Sequence, residues 1–231
     1  MKYLIRGGQK LNGKITVSGN KNAVFPCVAA ALLTEEEVIL ENIANLKDIE
    51  VLIQILKKLG IYVQRDGSKL TIKASNIRQF SLPEKLMTKL RGSIVLVGSL
   101  LSRIGKVKFW HPGGDIIGRR SIETHLRGFK SLGAIVKRDN LKYFLTLKKD
   151  GKKEIVDIFL KEASVTAAEN LILASVLGKQ TAILKNCPKE PHIVDLCNLL
   201  SQMGARISGT GTDMLNIEGV DKLHGTKFRI G

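Results

Sequence analysis

The sequence predicts an α/β domain built from three similar units, with helices packed inside and strands outside. Each unit ends with the same series of elements, which is an amphipathic helix, a glycine and two short strands. The three glycines, Gly60, Gly133 and Gly204, lie 73 (133 − 60) and 71 (204 − 133) residues apart. Upstream in each unit is a second helix that is apolar nearly all round, and such a helix has to be surrounded by protein. Repetition at one spacing indicates three copies of a single supersecondary unit.

The first unit shows the pattern in full. Residues 23–33 form the apolar stretch, and residues 51–59 form an amphipathic helix with two lysines near its end. Gly60 supplies the left-handed conformation that commonly ends a helix. Two short strands follow, and the sequence Asp66-Gly67 marks the turn between them.

The second and third units repeat this order. Apolar helices are predicted at residues 93–101 and 167–177, and amphipathic helices precede the two later glycines. Asp139-Asn140 marks the second hairpin. The two ends of the chain do not fit the repeat, because residues 2–6 and 14–18 read as strands and residues 227–231 begin another.

The amino-acid composition limits the classes of function that fit this chain. The chain has 231 residues with 37 Lys and Arg against 21 Asp and Glu, giving a formal net charge of +16. Such an excess is typical of nucleic-acid-binding proteins, and it also suits small anionic substrates. The lysines are spread along the chain, and aromatic residues are only 5%, which leaves few platforms for stacking bases. We therefore expect a solvated basic surface and no nucleic-acid partner.

The cysteines, histidines and apolar runs exclude several further classes. Three cysteines, widely spaced in apolar stretches, indicate neither a disulfide framework nor a zinc site. The four histidines show no ligand spacing, so no metal and no cofactor is expected. No apolar run approaches the roughly 20 residues that cross a bilayer, and no secretory signal is visible. We expect a cytoplasmic protein with no membrane partner.

Three motifs are specific when they are taken together and in order. Residues 17–23 read Val-Ser-Gly-Asn-Lys-Asn-Ala, residues 90–93 read Leu-Arg-Gly-Ser, and residues 112–120 read Pro-Gly-Gly-Asp-Ile-Ile-Gly-Arg-Arg. This set resembles the UDP-N-acetylglucosamine 1-carboxyvinyltransferases, a family of enolpyruvyl transferases. The resemblance covers essentially the whole chain but only about the first half of a typical member.

The resemblance implies the enolpyruvyl-transferase fold. Each of its two domains is an inside-out α/β barrel, or prism, of three pseudo-repeats, and the active site lies in the cleft between the domains. Residues 1–20 would join the absent second domain, residues 21–226 would form the catalytic domain, and residues 227–231 would begin the crossover. The missing C-terminal domain would then be a partner, in cis or as a separate chain.

The implied reaction transfers the enolpyruvyl group of phosphoenolpyruvate to the 3-hydroxyl of UDP-N-acetylglucosamine and releases phosphate. This is the first committed step of peptidoglycan synthesis. By resemblance, Lys21 and Asn22 contact phosphoenolpyruvate, Arg91 lies beside the sugar nucleotide, and Arg120 serves a mobile loop. Fixed cations suit these substrates because a carboxylate, a phosphate and a diphosphate must all be bound.

Asp115 is the candidate catalytic acid, at a position where most members of the family carry cysteine. A carboxyl group enclosed in an apolar lid can have its pKa raised towards neutrality, and it could then protonate C3 of the enolpyruvyl group. A carboxylate is a poorer nucleophile than a thiolate, so we expect resistance to epoxide inhibitors of the fosfomycin type.

The resemblance assigns two further stretches to the nucleotide. The first is formed by Ser121, Ile122, Glu123 and Thr124, where the family usually reads Pro-Val-Asp-Leu. The second is formed by Glu162, Ser164 and Val165, with glutamate where some members carry a basic residue. These substitutions predict altered nucleotide contacts at both places.

Two alternatives stay open from the sequence. The shikimate-pathway enolpyruvyl transferase shares the fold, although the Pro-Gly-Gly-Asp loop favours the UDP-sugar enzyme. The chain could also be a non-catalytic remnant that binds anions or nucleic acid. By resemblance the second domain supplies the catalytic base and further arginines, so this chain alone is expected to be inactive.

Overall fold

The computed structural model describes residues 2–114, 120–147 and 154–231. The first unit contains a buried helix, a strand, an amphipathic helix and a hairpin, which are α1 Lys21–Ala30, β1 Glu37–Glu41, α2 Lys47–Lys58, β2 Tyr62–Asp66 and β3 Lys69–Lys73. A 3₁₀ turn, Ala31–Leu33, extends α1. These bounds confirm the first predicted unit.

The second and third units have the same order of elements. The second comprises α3 Glu84–Met87, α4 Leu96–Ile104, β4 Lys106–Trp110, α5 Glu123–Ser131, β5 Ile135–Asp139 and β6 Lys142–Thr146. A 3₁₀ segment, Arg91–Val95, leads into α4. The third comprises β7 Ile155–Phe159, α6 Val165–Ser175, β8 Thr181–Lys185, α7 Pro191–Gln202, β9 Arg206–Ser208 and β10 Met214–Glu218, and β11 Lys227–Arg229 follows it.

Each unit contributes one sheet. The strand orders are β11-β1-β3-β2, β4-β6-β5 and β7-β8-β10-β9. Strand β7 runs parallel to β8, and β11 runs parallel to β1. Ser81 forms a single parallel bridge to Lys108 at the corresponding edge of the second sheet. The edge of the first sheet is therefore occupied by the last strand of the chain, which joins the end of the sequence to its first unit.

The predicted arrangement of helices inside and sheets outside is confirmed. Helices α1, α4 and α6 contact one another, and nearly all of their residues are buried. Gly98 of α4 donates its N–H to the side-chain oxygen of Asn170 on α6, at 2.8 Å. Ser99 donates its hydroxyl to the carbonyl of Ala29 on α1, at 2.7 Å. These polar contacts fix the register of three helices that have no wet face.

The amphipathic helices end as predicted. Gly60, Gly133 and Gly204 have φ values of 86°, 91° and 100°, a region that side chains with a Cβ rarely adopt. After α2, the N–H of Ile61 donates to the carbonyl of Leu56 at 3.1 Å, and equivalent bonds follow the other two glycines. This is the Schellman arrangement, which satisfies carbonyls at a helix end and turns the chain into the first strand of each hairpin.

The strands expected before α1 are absent from this structure. Residues 2–20 contain no regular secondary structure, and their apolar side chains, including Leu4 and Ile15, are about nine-tenths exposed. A strand needs a neighbouring strand for its N–H and C=O groups, and none of the described sheets includes this segment. The assignment of residues 1–20 to a further domain, and of residues 227–231 to a crossover, stays a prediction.

Candidate functional site

The amino ends of the three innermost helical segments meet at one cavity. Its volume is about 390 Å³. The lining includes the first residues of α1, of the 3₁₀ segment before α4, and of α6, namely Lys21, Asn22, Arg91, Gly92, Val165 and Thr166. Helix amino ends carry unsatisfied N–H groups and partial positive charge. Three of them directed at one volume make it suited to a multiply charged anion.

Asn20 fixes the start of α1 at this cavity. Its side-chain oxygen accepts a hydrogen bond from the N–H of Asn22 at 2.8 Å, as an N-cap does. Its own N–H donates to the carbonyl of Gly231, also at 2.8 Å. The end of the chain thus holds the residue that positions Lys21 and Asn22.

Lys21 lies at the mouth of the cavity and is paired in this structure. Its Nζ is 3.0 Å from a carboxylate oxygen of Asp48, and both side chains are 42% exposed. A half-exposed pair of this kind is worth little in stability. An arriving phosphate or carboxylate can therefore compete with Asp48 for the lysine at small cost.

Arg91 forms hydrogen bonds near both ends of residues 111–120, the loop predicted to act as a lid. Its guanidinium donates to the carbonyl of Pro112 at 3.4 Å, and to the carbonyls of Arg120 and Ser121 at 3.1 and 3.3 Å. Burial and then the charge of Arg120 lower its pKa from the ordinary value. The candidate acid Asp115 falls between these two ends and lies outside the described residues.

Residues 121–124 lead into α5 and face different surroundings. The Ser121 hydroxyl accepts from the N–H of Glu123 at 3.0 Å, and Ile122 is buried. Glu123 pairs with Arg127 one turn later. Thr124 lines a second cavity of about 220 Å³ between α5 and β7. The structure thus separates Thr124 from the main cavity, which Arg120 lines.

The second stretch assigned to the nucleotide forms the turn before α6. The N–H of Ser164 donates to the carbonyl of Glu162 at 2.7 Å, and the Glu162 side chain is exposed. Val165 lines the main cavity, whereas Glu162 and Ser164 are not among its lining residues. Of the predicted site residues, Lys21, Asn22, Arg91, Arg120 and Val165 are therefore brought together.

Sequence reasoning missed an acidic group at the cavity. Glu169, Glu190 and His192 all line it. Glu169 is only 2% exposed, and burial, followed by the charge of Glu190, raises its pKa well above the ordinary value. His192 Nε2 lies 3.9 Å from the Glu169 carboxylate. A glutamate inside a helix that is otherwise mostly apolar is a signal that could have revealed this group.

His125 adjoins the cavity from the α5 side. Its Nε2 is 3.1 Å from the hydroxyl of Thr166, a cavity-lining residue. Burial, and then the charge of Arg91, lower the pKa of His125 from 6.5 to about 3. The imidazole is therefore neutral at physiological pH and adds no charge to the site.

Two kinds of feature, a metal-ligating cluster and a helix that could cross a bilayer, are not found among the described residues. No group of three or more His, Cys, Asp or Glu side chains there is arranged to hold a metal ion. None of the described helices has the length and apolarity needed to cross a bilayer. The cations of the cavity, by contrast, can bind carboxylate and phosphate oxygens directly.

Curated relatives match this chain over nearly its whole length. The chain is 47% identical over 229 residues to the UDP-N-acetylglucosamine 1-carboxyvinyltransferase of Borreliella burgdorferi, which covers 99% of this chain and 53% of that protein. It is 46% identical to the enzyme of the same name from Treponema denticola, with the same coverage. The chain thus spans about half the length of the curated relatives it matches.

Solved structures share the fold. The enolpyruvyl transferase NikO from Streptomyces tendae matches with a TM-score of 0.82 at 23% identity, over 97% of this chain and 53% of that one. EPSP synthase from Acinetobacter baumannii matches with a TM-score of 0.73 at 17% identity, over 94% and 49%. The model of the family described as EPSP synthase (3-phosphoshikimate 1-carboxyvinyltransferase) matches residues 5–231. The chain therefore belongs to the EPSP synthase family of enolpyruvyl transferases.

Proposed function

We propose that this chain forms the substrate-binding half of a UDP-N-acetylglucosamine 1-carboxyvinyltransferase. The observation that carries the proposal is the cavity at three converging helix amino ends, lined by Lys21, Arg91 and Arg120. Both substrates are anions, and these groups offer permanent positive charge and backbone donors. The relatives at 46–47% identity carry that enzyme name, which supports the UDP sugar as the substrate.

The proposed reaction adds the sugar 3-hydroxyl to C2 of phosphoenolpyruvate while C3 gains a proton, and phosphate then leaves. Lys21 and Asn22 would hold phosphoenolpyruvate, and Arg91 would position the lid ends beside the sugar nucleotide. Asp115 would donate the proton to C3. The base that accepts the hydroxyl proton would come from the second half, supplied in cis or by a separate chain.

Nucleotide contacts are proposed at the rim of the cavity. Of the two stretches assigned to the nucleotide, the second reaches the cavity lining through Val165, and the first adjoins Arg120, which also lines it, whereas Thr124 lines the second cavity. We place the product in peptidoglycan synthesis in the cytoplasm. The three cysteines, all buried and unpaired, suit such a reducing compartment.

The alternative substrate, shikimate 3-phosphate, can be tested against the UDP sugar on this chain. Isothermal titration should show tighter binding of UDP-N-acetylglucosamine than of shikimate 3-phosphate. Arg120→Gln should weaken that binding, whereas the matched change Arg206→Gln, on an exposed edge strand, should leave it unaltered. Tighter binding of shikimate 3-phosphate, or no binding of either ligand, would contradict the proposal.

Asp115 makes the proposed enzyme resistant to fosfomycin-type epoxides. An assembled enzyme of both halves should keep its activity in the presence of fosfomycin. Asp115→Cys should render it sensitive, because the thiolate is the nucleophile that the epoxide alkylates. Sensitivity of the unaltered enzyme would remove this part of the proposal.

A further inference from the structure

The outward face of the second sheet concentrates lysines and aromatic rings. Along β4 and β6 the buried side chains alternate with half-buried or exposed ones, so that one face packs on the helices and the other meets solvent. Neighbouring β5 and the strand-like segment at Phe80 extend the solvent side. We call this surface the basic aromatic face, and it comprises Phe80, Lys106, Lys108, Trp110, Lys137, Asp139, Lys142 and Phe144.

Rings and ammonium groups alternate across this face. Lys106 Nζ lies 4.6 Å from the centre of the Phe80 ring, and Lys108 Nζ lies 5.5 Å from that of Trp110. Lys142, which is paired with Trp110 across the strands, places its Nζ 6.0 Å from the same ring. Phe80 and Phe144 meet edge to face at 6.3 Å. The lysines are thus held over rings by cation–π attraction.

The positive charge of this face is only partly balanced within the described residues, where Asp139 is its one carboxylate and lies opposite Lys142 across β5 and β6. None of its four lysines forms an ion pair with a carboxylate there. The charge of Lys142 is the largest cause of a lowered pKa at Lys108, which shows that the two ammonium groups repel each other. A partner that brings negative charge would relieve this repulsion.

The other two sheets serve as internal comparisons. On the first sheet Lys227 pairs with Glu41 at 2.8 Å. On the third sheet Lys185 pairs with Asp157, and Arg206 lies 3.7 Å from a Glu218 oxygen. A general excess of lysine in the protein would load all three faces alike. Only the second sheet, among the described strands, combines several unpaired lysines with a row of rings.

The lysines and rings of this face are complementary to a partner that offers closely spaced negative charges together with flat rings. A single nucleic-acid strand offers both, because its phosphates can meet ammonium groups while its bases stack on side-chain rings. A bilayer fits less well, because lipid headgroups offer negative charge but no flat rings to stack on Phe80, Trp110 and Phe144. We propose that the basic aromatic face binds single-stranded nucleic acid without sequence preference.

This surface was not predictable from the sequence because its parts are far apart along the chain. Phe80 precedes β4, whereas Lys137, Lys142 and Phe144 follow α5. The expectation of no nucleic-acid partner depended on dispersed lysines and scarce rings. Pairing of β4 with β6 brings Trp110 and Phe144 to one face, and the bridge between Ser81 and Lys108 adds Phe80.

The sole tryptophan of the protein lies on this face, so its fluorescence reports occupancy directly. Titration of the full chain with a 20-nucleotide thymidine strand should quench Trp110 and saturate. The logarithm of the binding constant should fall with the logarithm of salt concentration, with a slope of about −2 to −3 for three or four phosphate contacts. A polyphosphate chain should bind with a similar slope but quench little, because it has no bases.

Variants can distinguish the contribution of the lysines on this face from that of ring stacking and from that of the general basicity of the protein. With a dye-labelled strand and fluorescence anisotropy, Lys108→Gln/Lys142→Gln should weaken binding at least about tenfold. The matched pair Lys69→Gln/Lys73→Gln, on the outward side of β3, should change it less than twofold. Phe144→Leu should weaken binding about fivefold or more through lost stacking and should leave polyphosphate binding unchanged.

Several outcomes would overturn the proposal. Equal losses in the two lysine pairs would show only non-specific attraction to a basic protein. Absence of quenching in the unaltered chain would exclude base stacking even if a variant failed to fold. Binding to vesicles of phosphatidylglycerol and phosphatidylcholine without binding of the strand would assign the face to a membrane instead.

Discussion

Acid should destabilise this fold through His125. Its pKa is about 3 in the folded chain and 6.5 when unperturbed, so the unfolded state takes up the proton first as pH falls. Stability is therefore fully present above pH 6.5 and is lost as pH falls towards 3. From these two values the free energy of unfolding should drop by about 2 kcal/mol at pH 5 and about 3 kcal/mol at pH 4.

Urea unfolding at pH 7.5, 5 and 4 can isolate this contribution. The unaltered chain and His125→Gln share every other titrating group, so the difference between their pH profiles reports on the histidine. The difference should shrink by the amounts given above as the pH falls. A proton NMR titration of the imidazole would also show the folded pKa directly. Parallel pH profiles for the two chains, or a folded pKa near 6.5, would refute the reasoning.

Three further changes test the packing and the lid ends. Gly98→Ala should lower the free energy of unfolding by about 2 kcal/mol or more, because the added Cβ would lie 2.2 Å from a carbonyl oxygen of α6. In the control Gly7→Ala the added Cβ meets open space, so this change should be neutral in thermal unfolding. Thr34→Val should lower the free energy of unfolding in urea by about 1–2 kcal/mol, because the buried hydroxyl donates at 2.8 Å to a carbonyl 189 residues away. An unchanged urea midpoint would count against this. Arg91→Lys should speed amide exchange at Gly114, since a lysine cannot bridge both lid ends; unchanged exchange would show that the bridge is dispensable.

The repeated units were predictable because their signals are local. A glycine after an amphipathic helix acts within a few residues and recurs at Gly60, Gly133 and Gly204, and a turn pair between short strands marks the first two hairpins. The largely apolar character of α1 and α6 likewise predicts burial without any knowledge of their neighbours. The order of elements and the position of the helices therefore followed from the sequence.

Features that depend on partners far along the chain were not predictable. The segment before α1 has strand-like residues, but it joins none of the described sheets, and the side of β1 that faces away from β3 is occupied by β11. Glu169 joins the cavity only because α6 packs beside α1 and α7. Thr124 was assigned to the nucleotide by resemblance, yet the first turn of α5 directs it to another cavity.

The central claim is that one anion site forms where three helices begin. The direct test is a crystal structure of this chain soaked with UDP-N-acetylglucosamine. We expect the diphosphate or the sugar in the cavity lined by Lys21, Arg91 and Thr166, with Lys21 or the amide groups of α1 or α6 within hydrogen-bonding distance of the ligand. Ligand bound only elsewhere on the protein, with this cavity unchanged, would contradict the account.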